Sequence, residues 1–121
     1  MIRVKEILVN NEELDLVDYF VNRYLNAFDL ELIDIKNIGV IEQHFNGQTV
    51  YQTAFLLFVN LDWVSNSINA DKLIHFVLCS DYDDDVNGWT GFGNFNDDEI
   101  RSFKTMFRNV EVNDGHVVVK D

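Results

Sequence analysis

The stretch from Ser80 to Glu99, SDYDDDVNGWTGFGNFNDDE, holds Asp81, Asp83, Asp84, Asp85, Asp97, Asp98 and Glu99 and neither lysine nor arginine. Acid at this density cannot be buried unpaired, because each carboxylate would forfeit several kcal/mol of hydration. The fold must therefore keep this stretch at the surface, and the pattern around it reads as a loop between a buried strand and a helix. Loops on a rigid scaffold are where function tends to sit. This one also carries Tyr82, Trp89, Phe92 and Phe95 among the acids.

The rest of the chain has to supply that scaffold. With 121 residues, 47% of them hydrophobic and ten of them Phe, it can bury a core without disulfides or a metal. A single acidic domain over residues 1–121 is expected. No apolar run reaches the ~18 residues that span a bilayer, and Met1-Ile2-Arg3-Val4-Lys5-Glu6 lacks the apolar core of a signal peptide. The lone Cys79 cannot form an internal disulfide. A reduced, cytoplasmic setting is the simplest expectation.

Ile2 to Val9 reads as a first strand. Asn10 then stands as N-cap with Glu13 as its capping-box partner and Val9 and Leu14 as a hydrophobic staple. The stripe Leu14, Val17, Val21, Tyr24 and Phe28 predicts a helix over Asn11 to Ala27. Leu30 to Ile35 and Ile38 to Phe45 read as strands. Asn46-Gly47 is a strong hairpin signal because both residues tolerate positive φ. The arm that follows, Thr49 to Leu61, becomes apolar on both faces and suits a central strand. Lys72 to Cys79 is short and apolar without helical periodicity, so a buried strand is preferred over a buried helix. A second capping box, Asn96 with Glu99, predicts a helix whose stripe is Ile100, Phe103 and Phe107. Val110 to Lys120 closes the chain as a hairpin turning at Asp114-Gly115. The sum is an α+β fold: a mostly antiparallel sheet of five to seven strands with two amphipathic helices on one face.

Several chemistries can be weighed from the same residues. Asp83-x-Asp85-x-Asn87-Gly88 resembles the first half of a calcium loop, with oxygen ligands at alternate positions and glycine at the sixth. The twelfth position is Asn94 where a bidentate glutamate is needed, and Asp, Asn and Gly also form plain turns. Calcium held by Asp83, Asp85 and Asn87 is thus an expectation that rests on half a motif, and no other cofactor is implied. Gly88, Gly91 and Gly93 lack phosphate-loop spacing and stand among carboxylates that would repel a phosphate. His44, His75 and His116 fall on three separate predicted strands, and His75 with Cys79 reads as core filling rather than a nucleophile pair. No catalytic residue is assigned, and a non-enzymatic protein is expected.

A net charge of −12 argues against direct binding of nucleic acid or an anionic membrane. It favours a basic protein partner, a nuclease or other nucleic-acid-acting enzyme being the natural class. The sequence therefore points to a small acidic inhibitor of the immunity-protein or phage-encoded anti-defence type. Its contact set would be Asp81, Tyr82, Asp83, Asp84, Asp85, Trp89, Phe92, Asp97 and Asp98. The competing reading is a calcium-binding or housekeeping domain whose acidity serves solubility alone. The aromatic residues leave two readings open: an exposed anchor ringed by acid, or rings folded back over the sheet.

Overall fold

The computed structural model describes residues 1–61, 70–91, 95–113 and 116–121. The connection between Leu61 and Ala70, residues Phe92 to Asn94, and the turn at Asp114-Gly115 lie outside them. Among the described residues the fold is α+β and antiparallel, with seven strands and three α-helices. The strands divide between two sheets where the sequence suggested one. The first has the order β1-β3-β2, from β1 (Ile2–Asn10), β2 (Glu31–Phe45) and β3 (Gln48–Asn60). The second has the order β4-β5-β7-β6, from β4 (Asp81–Asp83), β5 (Gly88–Thr90), β6 (Asn109–Asn113) and β7 (His116–Lys120).

Local chemistry explains the first sheet. Asn46 and Gly47 both take positive φ, 49° and 76°, the combination whose twist matches two antiparallel strands. They close the β2–β3 hairpin at Phe45 and Gln48. The two strands expected over residues 30–45 are one long strand, irregular at Leu32/Asp34 and Asn37/Gly39. Gly39, at φ 110°, absorbs the second irregularity. β3 is central, as its two-sided apolar pattern requires, and turns Leu57 and Val59 into the core.

α1 (Val17–Phe28) is preceded by a 3₁₀ segment, Asn11–Leu16. The capping box expected at Asn10 is absent. Asn10 makes no cap hydrogen bond, and its Oδ1 accepts from Gln52 Nε2 instead. Tertiary pairing to β3 outcompetes the local motif. Val21, Tyr24, Ala27 and Phe28 form the buried face, while Leu14 remains exposed.

α2 (Ala70–Cys79) corrects the strand expected at Lys72–Cys79. It buries Leu73, Ile74, Phe76 and Val77. These four residues fall one, three and four apart on one helical face, with Asp71 and His75 exposed on the other; in so short a run that spacing is easily read as a continuous apolar strand. α3 (Asp97–Met106) starts on a complete capping box. Glu99 N–H donates to Asn96 Oδ1 at 2.8 Å, and Asn96 N–H donates to Glu99 Oε1 at 3.0 Å. Asn96→Ala should therefore cost about 1 kcal/mol in a urea melt. A loss within error would mean that the box adds nothing to the helix start.

The core is aromatic. Phe76 stacks on Phe103, with centroids 5.6 Å apart and planes at 9°. Phe28 meets Phe107 edge-on at 5.3 Å, and the inner residues Val117 and Val119 of β7 close the cluster.

Candidate functional site

The acidic stretch is a hairpin followed by a helix start, rather than a plain loop. β4 pairs with β5, and β5 pairs onward with β7 through Trp89↔Val119 and Thr90↔Val118. The tip, Asp84 to Asn87, turns with Asn87 at φ 50°, and Asp85 N–H donates to Asp83 Oδ1 at 2.9 Å. The Asp83, Asp85 and Asn87 pattern thus builds a turn by the side-chain-to-backbone bonding these residues favour. Asn94 lies outside the described residues. Among those described, no group of three His, Cys, Asp or Glu side chains converges as a metal would need.

Of the proposed contact residues, Asp81 is 91% exposed, 3.9 Å from Lys5 Nζ. Asp83 is half-buried at the end of β4, and Asp84 and Asp85 are exposed at the tip. Asp97 and Asp98 are exposed on the first turn of α3. Asp98 already pairs with Arg101. Tyr82 is half-buried, with the Arg23 guanidinium 4.0 Å from its ring centroid. Phe92 lies outside the described residues.

Trp89 settles the aromatic question for its own ring. It is 7% exposed, with ring centroids of Tyr24 at 5.2 Å and Tyr82 at 5.4 Å. Its expected place as an exposed anchor is corrected: the ring fastens the hairpin to the core. β-strand alternation explains this, since pairing of β5 to β7 turns Trp89 toward Tyr24 and Phe28.

The structure also brings in residues that sequence reasoning missed. Lys5, on the inner face of β1, is 3% exposed. Its Nζ donates to the carbonyl of Ser80, at the junction of α2 and the hairpin. Burial lowers the Lys5 pKa, and Asp81 partly opposes that shift. Tyr24 Oη and Ser80 Oγ both donate to the Val77 carbonyl, at 2.7 and 3.0 Å. Three side chains thus satisfy carbonyls at the end of α2, where a cation also suits the helix dipole. The sequence offers no clear signal for this, because the apolar-looking face of β1 is Ile2, Val4 and Leu8, which the structure leaves exposed, while the face it buries carries Arg3 and Lys5 beside Ile7 and Val9.

Tyr24 makes this junction sensitive to alkali. Burial raises its pKa well above 10.0. The folded state therefore gains stability that is present below pH 10 and lost above it, where only the unfolded chain ionises readily. Tyr24→Phe should cost about 1 kcal/mol near neutrality. The gap between wild type and variant should then close above pH 10 by up to about 1.4 kcal/mol per pH unit. Urea melts at pH 8, 10 and 11 measure this, and a gap independent of pH contradicts it.

A groove of about 680 Å³ runs between β1 and the hairpin, lined among others by Glu6, Glu13, Phe20, Arg23, Asp81 and Asp84. Its cations are already engaged. Arg23 Nε donates to Asp121 at 2.7 Å, and Lys5 is held as above. Elsewhere, His75 lies on α2 rather than on a strand, with its Nδ1 3.6 Å from Cys79 Sγ. His44 stands on β2 and His116 on β7.

No protein-family model matches the chain, and neither a curated protein nor a solved structure matches it. Among the described residues no helix is long and apolar enough to cross a membrane.

Proposed function

We propose that the protein is a small, cytoplasmic, non-enzymatic binding protein that sequesters or inhibits a basic protein of the nucleic-acid-acting kind, as immunity proteins and phage-encoded inhibitors do. The observation that carries this reading is the exposed acid of Asp81, Asp84 and Asp85 on a hairpin fastened to the core through Trp89. A fixed array of carboxylates raises the local concentration of a cationic partner and steers its approach. A firmly held hairpin also adds little ordering cost on binding. Asp97 and Asp98 extend the negative field at the start of α3.

The test is capture from a lysate of the source cell at low salt. Wild type is compared with a variant carrying Asn at positions 81, 83, 84 and 85, and captured enzymes are assayed with and without added protein. The reading expects a basic nucleic-acid-acting enzyme to be retained and inhibited by wild type and released by the variant. Equal capture by both, or a retained enzyme that keeps its activity, overturns it and leaves the acid as a solubility feature.

A further inference from the structure

β1 is an edge strand whose unpaired side borders the groove. Leu61 N–H donates to the Met1 carbonyl at 2.9 Å, so Met1 and Leu61 form a hydrogen-bonded antiparallel pair. The register then runs unbroken from Ile2↔Asn60 to Asn10↔Gln52. Because such pairs alternate, the odd residues of β1 bond to β3. Val4, Glu6 and Leu8 turn their N–H and C=O groups to the other side, where β1 has no strand neighbour among the described residues.

Three further observations bear on what fits there. Glu6, Leu8, Glu13, Asp81, Asp84 and Trp89 all line the groove. Glu6, Glu13 and Asp84 form no close ion pair among the described residues: Lys5 is held by the Ser80 carbonyl and Asp81 and reaches Glu6 only through a weaker attraction, and Arg23 is held by Asp121 and Tyr82. Trp89 Nε1 is a buried donor with no acceptor among the described residues, a state that costs about 1–3 kcal/mol.

We propose that the groove takes an extended, basic segment of a protein partner as an added strand on β1. Backbone pairing to Glu6 and Leu8 supplies affinity, and alternate Arg or Lys side chains meet Glu6, Glu13 and Asp84. The added strand also brings carbonyl oxygens to the wall that Trp89 helps to form. A lone cation or small amine would leave the strand edge unsatisfied, and an acidic or apolar peptide would leave the carboxylates unpaired. This inference rests on the reading that the partner is a basic protein.

The test uses a nine-residue peptide alternating Val and Arg, and the same peptide N-methylated at every second residue so that one edge cannot donate. Affinity is read by fluorescence anisotropy, and position by amide and indole N–H shifts in NMR spectra. The parent peptide should bind saturably and move the Glu6 and Leu8 amides and the Trp89 indole resonance. N-methylation should weaken binding about tenfold, as expected for losing one or two backbone hydrogen bonds. Leu8→Pro should weaken the parent peptide similarly, since the N–H it removes lies outside the β1–β3 ladder. If that variant does not fold, the two peptides on the unaltered protein decide alone. Equal affinity of both peptides, or shifts confined to the tip at Asp83–Asp85, overturns strand addition. Absence of peptide binding overturns it too. Capture of a folded basic enzyme that depends on the hairpin carboxylates would in either case leave the broader reading standing.

Discussion

Trp89→Ala is expected to lower the unfolding free energy by about 3–5 kcal/mol, the range for deleting a large buried aromatic ring. The ring contacts Tyr24, Phe28 and Tyr82, so its removal opens a cavity in the aromatic core. It also cuts the packing that attaches the hairpin to α1. Relaxation cannot fill that space well. Phe28 is fully buried and already engaged with Phe76 and Phe107. Denaturant melts followed by circular dichroism measure the loss. A cost below about 1 kcal/mol would mean that the ring is a surface anchor after all, and that the hairpin is fastened by something else.

Gly88→Ala is the second large effect, at about 1–3 kcal/mol. Here the glycine serves space rather than backbone freedom. A Cβ at this position would stand 2.3 Å from Val118 Cγ1 and 3.1 Å from the Val119 carbonyl oxygen. Val118 is fully buried and β-branched, so it has few rotamers with which to withdraw. The strain falls on β5–β7, a junction of only two residue pairs. Amide exchange in the β5–β7 pairs, Trp89 with Val119 and Thr90 with Val118, should accelerate at whichever pair is hydrogen-bonded, while exchange in the β2–β3 hairpin should follow global unfolding alone. Unchanged protection across both β5–β7 pairs would show that Val118 yields without cost.

These two residues mark the limit of what the sequence reveals about the hairpin. The density of acid places Ser80–Glu99 at the surface, because every carboxylate needs its hydration wherever the rest of the chain goes. It says nothing of Trp89 pointing inward, since that depends on pairing to β7, nearly thirty residues further along. Asn46-Gly47 and the Asn96–Glu99 capping box are legible because their hydrogen bonds close within a few residues. The same capping pattern at Asn10 fails where Gln52 offers its side chain a partner from β3. Lys72–Cys79 resembles a strand because the run is short and mostly apolar, so the one-three-four spacing of Leu73, Ile74, Phe76 and Val77 opposite the exposed His75 is easily missed. Lys5 carries no such local signal, because the apolar-looking face of β1 is Ile2, Val4 and Leu8 and the structure buries the other one. Its acceptor, the Ser80 carbonyl, is a backbone atom distant in sequence. The groove is hidden for the same reason, being made by the approach of two sheet edges that no local pattern encodes.

The central claim is that the fixed acid of the hairpin steers a basic partner, and association kinetics with the captured enzyme test it most directly. Asp83, Asp84 and Asp85 are changed together to Asn, which keeps an oxygen acceptor at position 83 for the Asp85 backbone N–H contact. Stopped-flow rates are then measured at low and high salt. The on-rate at low salt should fall by about tenfold or more, its salt dependence should flatten, and dissociation should change less. A triple variant with the wild-type on-rate and the wild-type salt slope would contradict the account.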